Sequence, residues 1–357
     1  MNEISSPKAK SGLKPGKLLS RILCFVLVTL LILCAFLYGI MFILCNGPSE
    51  TARNLFVMSV RETSAIGFLA DIFLSEEEIA AIEARADAGP AEGTDTSLIE
   101  ISSMEPSGNE PYADPWGYVD DDRDGIILVP VAGESYTGYM MIVLDPSRVI
   151  VGCVPESLGV RGYSVEEYVE LFDAVAGING GGFEDDNGQG DGSTPDTLVV
   201  VDGEIYCGYQ GVGNGFVGID SSHILHVGFT GTQDIKDWDI QYGAGYGPVL
   251  VVNGEAQDPE KLSSGLNPRT AIGQRSDGAI LMLVIDGRQA SSLGATYEDE
   301  AEIMLAFGAV NACNLDGGSS TLMWYNGGYV NNCASVIGIR RNPTSFLVLK
   351  EGVNAND

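Results

Sequence analysis

The sequence predicts an α+β fold: a mixed, largely antiparallel β-sheet body with a few helices, preceded by one N-terminal transmembrane helix. Three observations support this prediction. Short β-branched runs recur between glycine turns from about residue 116 onward, a few segments show helical periodicity, and a long uncharged run lies near the N-terminus. Such runs are typical of strands. They read "GIILVPV", "GYMMIVL", "RVIVGCV", "TLVVVDGEI", "GPVLVVNGE", "AILMLVIDGR" and "TSFLVLK".

The long apolar run covers Ile22–Cys45, and its 24 residues include no charged side chain. About 20 residues suffice for a helix to span a bilayer, and a cleavable signal peptide has a shorter apolar region. Five lysine and arginine residues precede the run. The positive-inside rule therefore predicts a cytoplasmic tail over 1–21, a transmembrane signal anchor over 22–45 and an extracytoplasmic body. A buried core helix is the weaker interpretation, because the run is apolar on all faces.

Residues 46–118 are expected to form an acidic stalk or linker. Within it, "LSEEEIAAIEARA" at 74–86 predicts a short helix, because acids in the first turn suit the helix dipole. The stretch that follows is acidic and rich in glycine, proline and serine, so we expect it to be mostly disordered. A folded domain is then predicted over 119–351.

Two helices are predicted inside this domain. "SVEEYVELFDAVA" opens with Ser164 and Glu167 at capping-box spacing, and "TYEDEAEIMLAFG" begins at Thr296 and stops at Gly308. Each helix is followed directly by a strand-like run, "GING" or "VNACNLD". This alternation indicates an α+β body rather than an all-β one.

The charge of the chain limits its partners. The net charge is −30, and the first 21 residues carry +4, so the remaining residues carry −34. A body this acidic repels nucleic acid and anionic lipid, so nucleic acid is excluded as a partner. An anionic substrate would have to be bound by a few well-placed arginines.

Nothing in the sequence requires a cofactor. The body cysteines are widely spaced and include no CxxC pair, which disfavours zinc and leaves disulfides and buried thiols equally open. Asp120, Asp122 and Asp124 alternate before Gly125, like the start of a calcium loop. Val131 stands where an EF-hand places its glutamate, so a solvated turn is favoured over a structural Ca²⁺ site.

Four strand ends combine glycine with polar residues: "GINGGGF", "NPRTAIG", "VIDGR" and "NLDGGSST". Consecutive glycines let the backbone approach a ligand closely, and a guanidinium suits phosphate or carboxylate. Asp286 and Asp316 at two of these ends could form the carboxylate pair of a glycosidase. Taken singly, each stretch is also explained by a plain turn or a structural salt bridge.

In this order, and together with "YGPVLVVNGE", these motifs resemble the phosphodiester glycosidase family over roughly residues 120–350. Gly180 stands where that family usually has alanine. The resemblance implies hydrolysis of a sugar-1-phosphodiester at its glycosidic bond, and it makes residues 119–351 a phosphodiester glycosidase-like catalytic domain.

The resemblance also implies roles for individual residues. Arg269 would bind the phosphodiester, aided by Arg288 and by N–H groups near Gly181 and Gly182. Asp316 and Asp286 would be the acid/base or nucleophile, in an order that the sequence leaves open. The other substrate-binding residues would be Asn179, Thr270, Gly317, Gly318, Ser319 and Ser320.

The sequence therefore predicts a single-pass, membrane-anchored extracytoplasmic hydrolase. Its substrate would be a sugar-1-phosphodiester in a cell-envelope glycan or exopolysaccharide, so the expected partners are a glycan or sugar-phosphate polymer and the membrane. Two alternatives remain: a non-catalytic carbohydrate-binding or polysaccharide-assembly protein, and a phosphodiesterase that cleaves the P–O bond instead.

Overall fold

The fold is described from a computed structural model that defines residues 15–63, 66–84, 93–101, 111–185, 190–207, 215–228, 231–335 and 338–352. The chain divides into two compact units, Met1–Arg53 and Asn54–Asp357. Within the described ranges the helices are α1 (Pro15–Asn46), α2 (Glu50–Arg61), α3 (Phe68–Asp71), α4 (Glu76–Glu83), α5 (Val165–Leu171), α6 (Thr232–Asp237) and α7 (Tyr297–Ala306).

The first unit is dominated by α1. Its segment Lys17–Asn46 has a mean hydropathy of 2.8 and is long and apolar enough to cross a membrane, by length and composition. The predicted anchor at 22–45 lies inside this helix. Residues 1–14 of the predicted basic tail lie outside the described residues. The orientation of the helix and the boundaries of the tail remain predictions.

The described residues of the second unit contain nineteen strands. The first ten are β1 (Tyr112–Ala113), β2 (Val119–Asp120), β3 (Ile126–Ala132), β4 (Thr137–Val143), β5 (Val149–Gly152), β6 (Ala174–Asn179), β7 (Val199–Val201), β8 (Glu204–Cys207), β9 (Phe216–Asp220) and β10 (Leu225–Gly228). The others are β11 (Ile240–Gly245), β12 (Val249–Val252), β13 (Glu255–Ala256), β14 (Arg269–Arg275), β15 (Ile280–Ile285), β16 (Ala309–Asn314), β17 (Met323–Tyr325), β18 (Gly328–Tyr329) and β19 (Ser345–Leu349).

These strands form four antiparallel sheets. The strand orders are β1-β2, β10-β9-β11-β7-β8, β13-β12-β16-β14-β15-β4-β3 and β18-β17-β6-β19-β5. The predicted α+β class is confirmed.

The seven-stranded sheet is buried on both faces. Along β15, Met282 and Val284 belong to one apolar cluster, whereas Leu281 and Leu283 belong to another that includes α7. Side chains alternate between the faces of a strand, so burial of both faces requires a continuous apolar run. Pro130 is compatible with this sheet because β3 is its edge strand.

The two predicted helices of the body are present with their caps, but α5 ends at Leu171, and the predicted helical residues 174–176 belong to strand β6. Ser164 and Glu167 form a reciprocal capping box on α5, and Thr296 and Asp299 form one on α7. Gly308 follows α7 with φ of +86°, a conformation that favours glycine after a helix. In the stalk, α4 has a capping box between Ser75 and Glu78.

The stalk is less independent than its composition indicates. Ser59 Oγ accepts a hydrogen bond from Leu266 N at 2.9 Å, and the Asp95 N–H donates to Asn253 Oδ1 at 2.8 Å. Asp114 forms a buried salt bridge to Arg275 at 2.7 Å. Within the stretch expected to be mostly disordered, the described residues 93–101 and 111–115 therefore contact the body, and the stalk boundaries remain a prediction. The stalk stretches 64–65, 85–92 and 102–110 lie outside the described residues.

Antiparallel pairing brings four predicted polar strand ends together. The first residue of β14, Arg269, lies opposite Ile285 at the end of β15, and Ala271 lies opposite Asn314 at the end of β16. The end of β6 joins this group through the Asn179 side chain, which donates to the Asp316 carbonyl at 2.6 Å. The four polar motifs predicted from the sequence, which lie between positions 177 and 321, thus share one edge of the fold.

Candidate active site

A polar cleft of about 230 Å³ opens at this shared edge. Its lining combines carboxylates, arginines and aromatic rings from separate chain segments. The lining residues are Glu62, Phe183, Asp185, Asp196, Tyr246, Asn267, Arg269, Arg288, Tyr297, Asp316, Gly317, Gly318, Ser319 and Ser320.

Asp316 was predicted from the sequence to be a catalytic acid, and it lines the cleft. The pKa of its carboxyl group is raised to about 7, mainly by burial and also by the negative charges of Asp196 and Asp185. Hydrogen bonding from Ser320 and the charge of Arg340 oppose this rise. A carboxyl group with this pKa can both hold and release a proton near neutral pH.

Asp196 is a second acid in the cleft, and it was not predicted from the sequence. Burial raises the pKa of its carboxyl group. Its backbone N–H donates to the Gly182 carbonyl at 3.3 Å, so it is fixed to the glycine triplet. A Cβ at Gly182 would lie 2.7 Å from Asp196 Oδ1 and 2.6 Å from the Tyr246 ring. The third glycine of the triplet is therefore needed for close packing of this acid and this ring.

Arg269 lines the cleft but is almost fully occupied by protein groups. It is 4% exposed, pairs with Glu62 at 2.8 Å, donates to the carbonyls of Gly265 and Ala295, and lies 4.0 Å above the Tyr297 ring. The phosphodiester-binding role predicted for Arg269 would need Glu62 to share this guanidinium or leave it.

Glu300 lies near this arginine, fully buried, and its two carboxylate oxygens have no hydrogen-bond partner among the described residues. Burial raises the pKa of Glu300 well above its usual range, more than the charge of Arg269 lowers it. Burial therefore favours the neutral form of this carboxyl group. The counter-ion of Arg269 is Glu62.

Arg288 differs from Arg269 in its exposure and in its partners. It is exposed to solvent, and its guanidinium donates to Asn267 Oδ1 at 3.0 Å and to Thr63 Oγ1 at 2.9 Å. Within the described part of the chain, no carboxylate pairs with it. Desolvation and the nearby charge of Arg269 lower its pKa, as expected for two adjacent cations.

Asp286 does not lie among the cleft-lining residues, contrary to the prediction of a catalytic pair with Asp316. Its carboxylate accepts hydrogen bonds from the Asn331 side chain at 3.1 Å and from the backbone and side chain of Asn332 at 2.9 Å each. The residue is 5% exposed. Asp286 thus anchors the 331–332 loop.

Asn179 and Thr270 were predicted to contact substrate, but neither lines the cleft. Both are fully buried. Asn179 Oδ1 accepts from Thr270 Oγ1 at 2.9 Å and from Leu322 N at 3.2 Å, and its amide nitrogen donates to the Asp316 carbonyl. This arrangement fixes the backbone at Asp316 without touching the cleft.

The predicted phosphate contacts from the glycine triplet are also satisfied inside the protein. The Gly181 N–H donates to Thr344 Oγ1 at 3.0 Å, and the Gly182 N–H donates to the Gly245 carbonyl at 3.4 Å. Neither residue lines the cleft. The triplet is a packing element here, because Cβ atoms at these positions would approach neighbouring atoms within 2.6 Å.

The segment after Asp316 does line the cleft as predicted. Gly317, Gly318, Ser319 and Ser320 all face it. Gly318 has φ of +61°, and a Cβ there would lie 3.1 Å from the Arg288 guanidinium. These glycines therefore leave space between the acid and the exposed arginine.

Several lining residues had weak signals in the sequence or none. Asn267 belongs to "NPRTAIG", Tyr246 is the first residue of "YGPVLVVNGE", and Asp185 lies in an acidic loop. Asp196 follows a proline in a polar loop, and Glu62 lies in the predicted stalk. Long-range packing, which no local pattern encodes, brings Glu62 and Asp196 to the cleft.

The Asp120, Asp122 and Asp124 cluster lies outside this cleft. One oxygen from each lies within 4.8 Å of the others, so the three could hold a metal ion. Asp120 already accepts from Arg123 N and Gly125 N, and Asp124 accepts from Ile126 N and the Tyr325 hydroxyl. These bonds explain the turn without an ion, and the Ca²⁺ site remains a prediction.

These features define an α+β protein in which carboxylates and arginines line a cleft, and the cleft lies where the ends of antiparallel strands meet. Residues 172–349 match the sequence model of the phosphodiester glycosidase family, NAGPA. This range holds all five motifs on which the resemblance rested. The chain therefore carries a domain of the phosphodiester glycosidase family.

Two relatives illustrate the relationship. Over 189 residues the chain is 32% identical to the SPbeta prophage-derived uncharacterized protein YomE of Bacillus subtilis, covering 49% of this chain and 28% of YomE. Over 217 residues it is 27% identical to mouse N-acetylglucosamine-1-phosphodiester alpha-N-acetylglucosaminidase, covering 55% of this chain and 41% of the mouse protein. The chain thus spans less than half the length of either relative.

A solved structure shares the fold. The catalytic domain of zebrafish N-acetylglucosamine-1-phosphodiester alpha-N-acetylglucosaminidase, auto-inhibited by its pro-peptide, aligns with a TM-score of 0.54. The alignment covers 75% of this chain and 98% of the zebrafish chain at 17% identity. At this identity, the likeness concerns the fold alone.

Proposed function

We propose that the protein is a membrane-anchored extracytoplasmic hydrolase that cleaves the glycosidic bond of sugar-1-phosphodiesters in cell-envelope glycans or exopolysaccharide. One observation carries the proposal. An exposed arginine without a carboxylate partner among the described residues, Arg288, lines the same cleft as two acids of raised pKa, Asp316 and Asp196. A glycosyl phosphodiester needs such a cation beside its phosphate and carboxyl groups at its anomeric carbon.

In this proposal, Arg288 is the first phosphate ligand. Arg269 is already neutralised by Glu62, whereas the described partners of Arg288 are the neutral oxygens of Asn267 and Thr63. The arginine side of the cleft therefore has one positive charge in excess. A bound phosphodiester would remove that excess, and it would gain bidentate hydrogen bonds from a planar guanidinium.

The same contacts indicate that an anion can be held on Arg269. The Glu62 carboxylate takes N–H bonds from Arg269, Asn267 and the Gly265 backbone at 2.8 to 2.9 Å. Its oxygens stand where phosphate oxygens could accept the same bonds. The zebrafish catalytic domain is auto-inhibited by a pro-peptide. We propose that in this chain the residues at the end of α2 restrict the arginine side of the cleft in a comparable way.

The two acids can be assigned different roles. Asp316 raises the pKa of Arg288 through its charge, which indicates that it lies near the phosphate-binding side. Asp196 instead packs beside Gly182 and the Tyr246 ring, and its pKa is raised mainly by burial. We therefore assign Asp316 as the proton donor to the leaving oxygen, and Asp196 as the base or nucleophile on the sugar side.

The reaction can then be written with its atoms in balance. The C1–O bond to the bridging phosphate oxygen breaks, and its electron pair stays on that oxygen, which takes the Asp316 proton. In a one-step reaction, Asp196 accepts the proton of the water that bonds to C1. In a two-step reaction, Asp196 first bonds to C1 as a glycosyl ester, and water then displaces it while the deprotonated Asp316 takes the water proton. The products are a free sugar and a phosphate monoester.

The residues outside the cleft act as positioning residues in this scheme. Asn179 and Thr270 hold the Asp316 backbone, and Asp286 holds the 331–332 loop. The second catalytic acid, assigned to Asp286 from the sequence, is thereby reassigned to Asp196. This reassignment predicts that Asp196→Asn is more harmful to turnover than Asp286→Asn in protein that is folded.

The test is sugar release by the full chain in detergent from a panel of aryl and alkyl glycosyl-1-phosphates, including N-acetylglucosamine-1-phosphodiesters. We expect Asp316→Asn and Arg288→Gln to lose about 100-fold or more in kcat/KM. Asp121→Asn, an exposed acid outside the cleft, is the matched control. If the wild type releases no sugar from the panel, the glycosidase proposal fails.

Product analysis in ¹⁸O water separates the alternatives. Label in the sugar supports cleavage at C1, whereas label in the phosphate would identify a phosphodiesterase. Saturable binding of the same compounds without any release would identify a carbohydrate-binding protein. Protease added to intact cells should remove the body if it is extracytoplasmic, and full protection would contradict the proposed topology.

A further inference from the structure

A second groove, of about 450 Å³, is lined by residues of three chain segments, 160–161, 190–191 and 339–341. It contains three arginines, one acid and two exposed aliphatic side chains. The lining residues are Val160, Arg161, Gly190, Asp191, Ile339, Arg340 and Arg341. Val160 is 74% exposed and Ile339 is 46% exposed, so the groove presents apolar surface as well as charge.

Arg340 lies between the cleft and this second groove, which we call the arginine groove. Its guanidinium donates to Asp185 Oδ1 at 2.9 Å and to Ser319 Oγ at 3.4 Å, and both residues line the cleft. It also lies 5.3 Å from the Phe183 ring. Because its side chain is 7% exposed and held on three sides, Arg340 forms a fixed wall between the two spaces.

Arg161 and Arg341 are the outward-facing cations of the groove. They are 47% and 50% exposed, and both pair with one oxygen, Glu167 Oε1, at 2.6 and 3.2 Å. Two positive charges therefore share one negative charge. Within the described residues, neither guanidinium has another carboxylate partner, so each keeps donors that an external anion could use.

This concentration of cations is unusual for the chain. Residues 22–357 carry a net charge of −34 and contain only 14 lysines and arginines. Five of these 14 line the cleft or the arginine groove: Arg161, Arg269, Arg288, Arg340 and Arg341. Asp191 is the one acid of the groove lining, and its carboxylate accepts the Ser193 N–H at 3.0 Å.

We propose that the arginine groove is a second anion subsite, which binds a phosphate or carboxylate group on the glycan unit next to the one being cleaved. Val160 and Ile339 would contact the apolar face of that unit. The proposal rests on the proposed glycosidase function and narrows its substrate to a polyanionic glycan. It explains why cations are gathered along two neighbouring spaces rather than in the cleft alone.

The test uses the full chain in detergent with Asp316→Asn, so that a bound oligomer is not consumed. The probes are a fluorescent oligomer of N-acetylglucosamine-1-phosphate, a hyaluronan oligomer of similar length for the carboxylate source, and an uncharged chitooligosaccharide. Dissociation constants are measured by anisotropy at two salt concentrations. We expect one charged oligomer to bind at least about tenfold more tightly than the neutral one, and less so at high salt.

The decisive variant adds Arg161→Gln and Arg341→Gln. We expect it to weaken binding of the preferred charged oligomer about tenfold, through loss of charge-assisted hydrogen bonds. Lys350→Gln is the matched control, since Lys350 is 49% exposed and also has a carboxylate partner. Arg161→Lys with Arg341→Lys should recover most of the affinity if charge is what matters and should show that the fold is intact.

The outcomes separate this proposal from the glycosidase proposal. The proposal of an anion subsite would be overturned if the glutamine variant and the Lys350→Gln control bound the charged oligomer equally. Equal binding of charged and neutral oligomers would overturn it as well. Groove-dependent binding together with no sugar release by the wild type would support the groove and refute the glycosidase. Sugar release by the wild type, with binding that does not depend on the groove arginines, would support the glycosidase and refute the anion subsite.

Discussion

The two ends of strand β14 each bury an arginine, and they differ in the charge around it. At the C-terminal end Arg275 is fully buried and pairs with two carboxylates at 2.7 and 2.6 Å. At the N-terminal end Arg269 pairs with one carboxylate, Glu62, and lies near a second arginine, Arg288. The first end has a negative charge in excess and is closed. The second has a positive charge in excess and opens into the cleft.

The comparison shows that burial of an arginine does not by itself indicate a site. Both guanidiniums lie over an aromatic ring, Arg275 over Trp116 and Arg269 over Tyr297. Both also pair with a carboxylate from the predicted stalk, at position 114 or 62. What separates them is the sign of the excess charge, which is negative at the closed end and positive at the open end, and the predictions that follow test that difference.

The largest effect should come from removing both of these stalk carboxylates at once. A fragment of residues 116–357 lacks Glu62 and Asp114, whereas one of residues 54–357 keeps them and equally lacks α1. We expect the shorter fragment to lose more than about 5 kcal/mol, because Arg269 loses its carboxylate partner, Arg275 keeps only Asp277, and buried side chains such as Val57 and Ile79 are removed with the segment. Urea unfolding followed by tryptophan fluorescence measures the difference. Equal midpoints for the two fragments would contradict the structural role given to this segment.

Asp114→Asn alone should lower the free energy of unfolding by about 3–5 kcal/mol, the usual cost of breaking a fully buried ion pair. Asp277→Asn removes the other carboxylate of Arg275, which is 14% exposed and next to a turn, and should cost less, about 1–2 kcal/mol. Both are measured by urea unfolding. A smaller cost for Asp114 than for Asp277 would show that the closed end does not depend on the stalk.

At the open end, Glu62→Gln should lower the unfolding free energy less, by about 1–2 kcal/mol, because Glu62 is partly exposed and Arg269 keeps its two carbonyl partners. The same change adds a second uncompensated cation. We therefore expect inorganic phosphate to raise the melting temperature of Glu62→Gln more than that of the wild type. Glu83→Gln, on the exposed pair with Arg61, is the control. No difference in the phosphate effect would argue against anion binding on Arg269.

Asp316→Asn should change the unfolding free energy no more than Glu62→Gln does and in the opposite direction, and the size of the change depends on pH. Because the folded pKa, about 7, lies above the ordinary value of 3.8, the folded state binds more protons than the unfolded state between these values. The wild type thus loses stability as pH rises through this window. We expect the variant to be more stable by about 1–2 kcal/mol at pH 8 and equal at pH 4, after allowing for screening in the open cleft. A pH-independent difference would contradict the raised pKa.

The fold was predictable where local signals and burial agree. The apolar runs became β3, β4, β5, β12, β15 and β19, and the capping boxes at Ser164 and Thr296 mark the starts of α5 and α7. In the stalk, the prediction from composition differs from the structure, because the low hydrophobicity around Asp95 and Asp114 predicts disorder. Specific pairing with Asn253 and Arg275 orders these residues instead.

The site was predictable in location and only partly in membership. Asp316, Arg269 and Arg288 line the cleft because the glycine and proline turns that flagged them end paired strands. Asp286 carries the same local pattern as Asp316, and only the positions of Asn331 and Asn332 decide that its carboxylate is used in a loop. Asp196 and Glu62 carry no local signal of their contacts.

The side chain of Asn179 links three segments that are far apart in sequence, and this has a consequence for backbone exchange with solvent. Asp316 N, Leu315 N and Leu322 N lie outside the strands, yet they donate to Gly180 O, Thr270 O and Asn179 Oδ1. Their amide hydrogens should therefore exchange with deuterium as slowly as those of β16. Slow exchange means that this loop seldom opens, so the Asp316 carboxyl group keeps one position. Little reorganisation of the site is then needed during the reaction.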